Sequence, residues 1–303
     1  MEQYLHSFAC MGTVVTMQVL SSDHSANRIR QRDESLARAT AWFHQVEQCC
    51  SRFDASSELQ QLCSAPQQPV TVSDLLFECV QFGVAVARAT NGAFDPTVGT
   101  QMERRGFNRD YRTGALMHHS VVAHEHATYR DVELHEGNRT ITLHKPLQLD
   151  LGAIAKGLAV DMAARELRAL ANFMIDAGGD LYVGGLNAEG GRWKVGIRHP
   201  RARDQHIHTF HVSDASVCTS GDYERTANDG AGHILHAGKN EGARELASVT
   251  VLAPSAMVAD ALATAAFALG LSAGRTFLEQ QGVDGLLITP ELELLHARSV
   301  RVE

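Results

Sequence analysis

The chain has no run of the roughly 18–20 apolar residues that a helix needs to cross a bilayer, so no membrane span is expected. It has no dense lysine and arginine block either: 27 basic residues stand against 35 acidic ones, a net charge of −8. Nucleic acid is thereby disfavoured as the main partner, because phosphate binding draws on clustered cations. The N-terminal stretch MEQYLHSFACMGT has neither the cationic nor the apolar part of a signal peptide, and without the apolar part Cys10 after Ala9 is no lipoprotein signal. The six cysteines (Cys10, Cys49, Cys50, Cys63, Cys79, Cys218) include an adjacent pair but no C-x-x-C. That pattern fits neither a zinc site nor a small disulfide scaffold, and reduced thiols in a cytoplasmic protein are expected.

What is present is an ordinary globular composition, 303 residues with 44% hydrophobic and 20% charged, enough for one large domain or two smaller ones. Alternation rich in Val and Thr predicts a strand over 10–20, and apolar spacing predicts helices over 25–48, from Ser57 onward, and over 72–90 with Ser73 as cap. Asn91-Gly92 closes the last of these, and 100–126 reads as a polar, exposed excursion. A strand–turn–strand follows over 132–143, then a helix over 154–172 and a strand over 173–176 running into a glycine turn. Further strands are expected at 193–197, 208–212 and 248–252, helices at 256–270 and 273–281, and strands near 285–289 and 294–298. Strands grouped by hairpin turns as well as lying singly between helices read as α+β rather than a doubly wound parallel sheet.

Within the apolar helix AMVADALATAAFALG, Asp260 and Thr264 are the only strong oxygen donors. A buried carboxylate is expensive unless paired with a charge or a metal. The i, i+4 spacing puts both oxygens on one face, which suits a hard cation such as Mg²⁺. The competing reading is that Asp260 serves the start of the helix, since Pro254-Ser255 marks a beginning and acids are favoured in a first turn.

Four other segments carry chemical groups. In GAFDPTVG, Asp95 either closes an Asx turn or contacts a ligand. LDLGAIAKGLAVD runs from a strand through a glycine turn into a helix carrying Lys156; its geometry suits an anion, the Ala153 carbonyl could serve a hard metal, and close packing at glycine is the alternative. It is not a Walker A loop. IDAGGDLYVGG lacks the glycine order of a dinucleotide fingerprint, and CTSGDYER, read as a loop, is not the nucleophile elbow of a serine hydrolase. The sixteen histidines include no H-E-x-x-H, and His118, His119, His124 and His126 are expected to be solvated.

In order along the chain, CMGTVVTMQV, SRFDASSELQQL, GAFDPTVG, LDLGAIAKGLAVD, IDAGGDLYVGG, WKVGIRHP, CTSGDYER and SVTVLAPSAMVADALATAAFALG resemble the ApbE family, the FAD:protein FMN transferases. The resemblance implies an α+β fold of mixed, largely antiparallel sheets flanked by helices, as a single domain over 1–303 or two interleaved subdomains. It implies Mg²⁺-dependent transfer of the FMN half of FAD to a Thr or Ser hydroxyl of a target flavoprotein, with release of AMP. It further implies Mg²⁺ on Asp260, Thr264 and the Ala153 carbonyl, and FAD contacts from Met11, Phe53, Ala93, Phe94, Asp95, Asp150 and Lys156. The partner would be an acceptor flavoprotein carrying a D-x-x-[SG]-A-T type motif.

The family associates its proton-handling histidine with a pattern close to H-x-x-D-P-x-T-G. The matching stretch here is GHILHAGKN, with His233 present as the catalytic candidate and Leu235 at a flavin-contacting backbone position. His236 stands where Asp is expected, Ala237 replaces Pro, and the T-G is missing. A second acid that some relatives place three residues after the metal aspartate is Ala263 here, a loss Mg²⁺ tolerates because it readily keeps waters. Members are often exported lipoproteins; without that signal the expected target is cytoplasmic. Two alternatives follow from the altered loop: a Mg²⁺-dependent FAD pyrophosphatase giving FMN and AMP, and a non-catalytic FAD-binding protein.

Overall fold

A computed structural model of the chain describes residues 1–116, 123–223, 235–236, 241–242 and 245–298. It opens with a hairpin of β1 (Glu2–Cys10) and β2 (Thr13–Ser21), turned by Met11 and Gly12, both at positive φ. The pattern reading placed a single strand here and missed β1. This strand is an outer one, mostly exposed, so no apolar alternation marks it. The long helix α1 (Ala26–Cys50) follows, then α2 (Glu58–Cys63), β3 (Pro69–Thr71) and α3 (Asp74–Ala89). Ser25, Ser57 and Ser73 cap these three helices, each accepting an orphan N–H of the first turn.

The polar excursion begins with a short helix, α4 (Gly99–Arg104), and returns through β4 (Val132–His135) and β5 (Thr140–Leu143). Next come α5 (Ala155–Leu167), β6 (Asn172–Ala177), β7 (Asp180–Gly184), β8 (Trp193–His199), β9 (Ala202–Val212) and β10 (Ala215–Gly221). The short β11 (Leu235–His236) and β12 (Glu241–Gly242) pair with each other. The chain then runs through β13 (Ser248–Ala253), α6 (Ala256–Leu269), α7 (Leu271–Gln281), β14 (Asp284–Ile288) and β15 (Leu294–His296).

One eight-stranded sheet, ordered β1-β2-β6-β7-β10-β13-β14-β15, organises the fold, and every neighbouring pair in it is antiparallel. Side chains alternate between its faces with period two. Met17, Ile175, Cys218, Val249 and Leu287 enter a core shared with α1, α3, α5 and α6. Leu20, Val183, Val217, Leu286 and Ile288 enter a second core closed by Trp193, Val195, Ile197, Phe210 and Val212 of the β8–β9 hairpin. The architecture is the expected α+β one. Among the described residues no helix is long and apolar enough to cross a membrane. All six cysteines are buried, free thiols.

Candidate active site

The two helices that carry Lys156 and Asp260 touch where α5 crosses the start of α6. A Cβ on Gly157 would lie 2.5 Å from the Ala256 carbonyl oxygen, so only glycine permits this approach. Asp161, one turn further along α5, accepts hydrogen bonds from Ser255 Oγ (2.6 Å), Ala256 N (2.7 Å) and Met257 N (3.0 Å). Ser255 itself accepts from the Val258 N–H. The first turn of α6 is therefore satisfied by Ser255 and Asp161, and its positive dipole end faces the Asp161 carboxylate. Asp260 lies beyond that turn, so the capping reading does not hold.

Asp260 is 5% exposed. The Lys156 ammonium lies 3.4 Å from Asp260 Oδ2 and forms a closer ion pair with Asp180. Asp180, itself 2% exposed, opens β7 directly after the glycine turn. It stands opposite Cys218 of β10 in register, and Ser220 lies two residues on, so period two turns all three toward the helical face. There Ser220 Oγ lies 2.9 Å from Thr264 Oγ1. The stretch 218–221, read as a loop from its hydroxyls and glycine, is a central strand instead.

Among the described residues, two buried carboxylates and two hydroxyls thus gather around one ammonium. These hard oxygen donors fit a cation such as Mg²⁺. Cys218, beside them, is not part of that chemistry: burial, reinforced by the negative charge of Asp260, pushes its thiol well above the ordinary range. Ala153 lies in the turn that leads into α5.

A second cluster joins three segments distant in sequence. Arg52 Nε donates to Asp150 Oδ2 at 2.7 Å, and its guanidinium lies 4.2 Å from the centre of the Phe53 ring. Arg52 also donates to the Phe107 carbonyl. Asp150 Oδ1 accepts from Gly152 N (2.8 Å), while Asp150 N donates to the Pro96 carbonyl (2.7 Å). Phe53, Asp150 and the run Ala93-Phe94-Asp95 are thus brought together.

The Asp95 carboxylate faces inward. Oδ1 accepts from Thr97 N (2.9 Å) and Thr97 Oγ1 (2.7 Å), and Oδ2 from Tyr129 N (3.0 Å). That is the Asx-turn reading of this residue. Burial raises its carboxyl above the usual range despite these donors.

Met11 sits in the β1–β2 turn at φ 54°, its N–H donating to Glu47 Oε1 at 2.9 Å. Burial opposes ionisation of Glu47, but donation from Tyr111, Cys10 and Met11, with the Arg112 charge, holds it below the ordinary glutamate value. Cys10 is pushed the other way, to about 12, by burial and by Glu47. His233 and His118-His119 lie outside the described residues; of the flavin-loop candidates only the Leu235–His236 backbone is described, paired with Glu241–Gly242. His124 and His126 are exposed, as expected.

Arg52, Asp180 and Ser220 were not singled out by sequence reasoning. The available signals were an arginine next to Phe53, an acid directly after the Gly178-Gly179 turn, and hydroxyls alternating in what is now a strand.

The ApbE family model matches residues 11–287, nearly the whole of this architecture. The chain belongs to the ApbE family. An FAD:protein FMN transferase of Treponema pallidum is 31% identical over 314 residues, covering 95% of this chain and 85% of that protein. One from Vibrio cholerae is 29% identical over 260 residues, covering 80% and 76%. Among solved structures, the flavin transferase ApbE from Vibrio cholerae superposes with a TM-score of 0.81 at 25% identity, covering 97% of this chain and 96% of that one. The ApbE protein of Thermotoga maritima also gives a TM-score of 0.81, at 28% identity and the same coverage. ApbE membership and the antiparallel α+β architecture agree with each other and with the motif order read from the chain.

Proposed function

We propose that this protein transfers the FMN moiety of FAD to a threonine or serine hydroxyl of an acceptor flavoprotein, releasing AMP, in a Mg²⁺-dependent reaction. The observation that carries the reading is the buried arrangement of Asp260, Asp180 and Lys156 beside the Thr264–Ser220 hydroxyl pair, in a chain whose ApbE relatives are FAD:protein FMN transferases. Asp260 and Thr264, with the Ala153 carbonyl, are the residues that would hold the metal. Bound there, Mg²⁺ would neutralise the pyrophosphate and stabilise the charge that develops on its oxygens.

The reaction is an in-line displacement. The acceptor hydroxyl oxygen bonds to the phosphorus on the riboflavin side, the bridging P–O bond breaks, and AMP departs with that oxygen. The hydroxyl proton must leave during attack, which calls for a base near the phosphorus; His233 is the candidate by motif. The Lys156 ammonium, paired with Asp180 and Asp260, would meet the pyrophosphate charge as it arrives. Arg52 fixes Asp150 and lies over Phe53, so the flavin-side residues are held in one place before substrate enters. Because Asp95 commits both carboxylate oxygens to the protein, contact with FAD from its run would come through the backbone and side chains of Ala93 and Phe94.

A single transferase domain acting in a reducing compartment is the consistent setting, supported by one continuous sheet and six free thiols. The test is mass spectrometry of an acceptor domain after incubation with the protein, FAD and Mg²⁺. A metal-dependent gain of one FMN phosphoryl group, absent with Asp260→Ala, is expected. Free FMN plus AMP with unmodified acceptor would replace transfer by hydrolysis. Intact FAD bound to the protein across a panel of acceptors would leave only binding.

A further inference from the structure

Beyond the oxygen-lined site, the described residues bring one thiol, one imidazole and one carboxylate to a common point. Cys10 ends β1 at the Met11 turn, while His44 and Glu47 lie three residues apart on α1 and so share a face. Their ligand atoms all lie within 4.8 Å of one another. Cys10 Sγ is 3.2 Å from Glu47 Oε2 and 3.6 Å from His44 Nδ1. A tetrahedral ion with metal–ligand bonds of about 2.0–2.3 Å separates its ligands by roughly 3.3–3.8 Å. The two separations are close to the edges of such a tetrahedron.

We propose that Cys10, His44 and Glu47 form a binding site for Zn²⁺ or a similar borderline transition metal, distinct from the hard-cation site at Asp260. Thiolate, imidazole and carboxylate together select such an ion over Mg²⁺, which takes oxygen ligands. Three protein ligands leave the fourth position to water. His44 is exposed and provides the way in.

The surroundings supply the outer support that such a site requires. Glu47 Oε1 is anchored by the Met11 N–H at 2.9 Å and by the Tyr111 hydroxyl at 2.7 Å. Oε2, the oxygen facing Cys10, is shared with Arg112 at 2.8 Å. The Arg112 side chain is 52% exposed and can leave for water. Binding then exchanges one cation for another. Zn²⁺ bonds to Cys10 sulfur as its S–H proton passes to solvent, and Arg112 releases Oε2. Thiolate, carboxylate and Zn²⁺ sum to zero charge, as Glu47 and Arg112 did before. No redox change is involved.

Occupancy would act on the neighbouring site through two contacts. Met11 shares Glu47 with the metal, and Arg112 belongs to the same segment as Phe107, whose carbonyl accepts from Arg52. Zn²⁺ is therefore expected to alter FAD binding, a consequence that rests on the transferase reading; metal binding itself does not.

The test titrates the full-length protein, saturated with Mg²⁺ and without FAD, with Co²⁺ and then with competing Zn²⁺. One Co²⁺ per chain is expected, with a thiolate-to-cobalt charge-transfer band that Zn²⁺ abolishes. Cys10→Ser should erase the band, and His44→Ala should weaken Zn²⁺ binding by about 100-fold or more, beyond the loss of an outer-shell partner. Arg112→Ala should tighten it, by removing the competing cation. Asp260→Ala should leave the band in place. Because Cys10 is fully buried, His44→Ala at the surface carries the test if Cys10→Ser does not fold. Absence of the band in the wild-type protein would overturn the proposal. So would Zn²⁺ affinity unchanged in His44→Ala, which would put the ion on others of the sixteen histidines, or a band lost in Asp260→Ala.

Discussion

Asp95 and Asp260 are both buried, and both follow glycine or proline punctuation near a helix, yet they do opposite work. Around Asp95, three donors from Thr97 and Tyr129 converge on the carboxylate, and all come from the protein itself. That region is closed: its hydrogen bonds hold a turn against β4 and leave no oxygen facing outward. Around Asp260 the partners are a lysine ammonium, a second buried acid and a hydroxyl pair. The acid and the hydroxyls are oxygen donors of the kind that a hard cation takes. Burial alone does not mark a functional acid. What sets Asp260 apart is its company: a second buried acid, a lysine and a hydroxyl pair, where Asp95 has only donors of its own turn and of Tyr129.

The comparison can be broken most directly by removing each acid. Asp260→Ala should lower FMN transfer on the order of 10³-fold, the upper range for losing one charge-stabilising group, while thermal unfolding stays close to wild type. Normal turnover at matched Mg²⁺ would remove Asp260 from the metal site. Asp95→Ala should instead destabilise the fold by roughly 3 kcal/mol, because it strands buried N–H groups of Thr97 and Tyr129. Denaturant unfolding measures this, and Asp95→Asn should recover part of the loss, since one oxygen can still accept from Thr97.

A smaller effect is expected from Gly157→Ala, at about 1–3 kcal/mol. The added methyl meets the Ala256 carbonyl and pushes α6 from α5. Mg²⁺ affinity by calorimetry should fall along with stability, whereas a change in stability alone would show that this crossing does not set the Asp260 geometry.

Glu47 offers the finest distinction, since its partners are part protein interior and part exposed arginine. Its folded-state value lies below the ordinary 4.5, so its ionised form stabilises the fold above that pH. The contribution is lost as pH falls from 4.5 through the folded-state value. Glu47→Gln should therefore lower stability by about 1 kcal/mol near neutrality. Thermal melts should show that gap closing as the pH drops below 4.5; a gap independent of pH would assign the loss to packing.

Much of this molecule is legible along the chain because the signals are local. Serines 25, 57, 73 and 255 cap their helices as helix-start chemistry predicts. The 3.6-residue period of α6 by itself puts Asp260 and Thr264 on one face, and the ordered motifs point to the ApbE family. The misses share a cause. β1 is exposed at the edge of the sheet, so nothing in its pattern demands a strand. β10 looks like a loop because its serine and glycine match turn statistics, while its place between β7 and β13 is set by pairing with residues far along the chain.

Local periodicity, caps and motif order are written in neighbouring residues, and from them the sequence alone determined most of the helices, the α+β class and the shared face of Asp260 and Thr264. Only the tertiary structure decided that Lys156 meets Asp180 and Asp260, that Asp161 rather than Asp260 serves the start of α6, that Arg52 holds Asp150, and that Cys10 meets α1. Each of these contacts joins segments brought together by sheet pairing and helix packing, and the free energy that selects them comes from burial summed over the whole core rather than from any one stretch of chain.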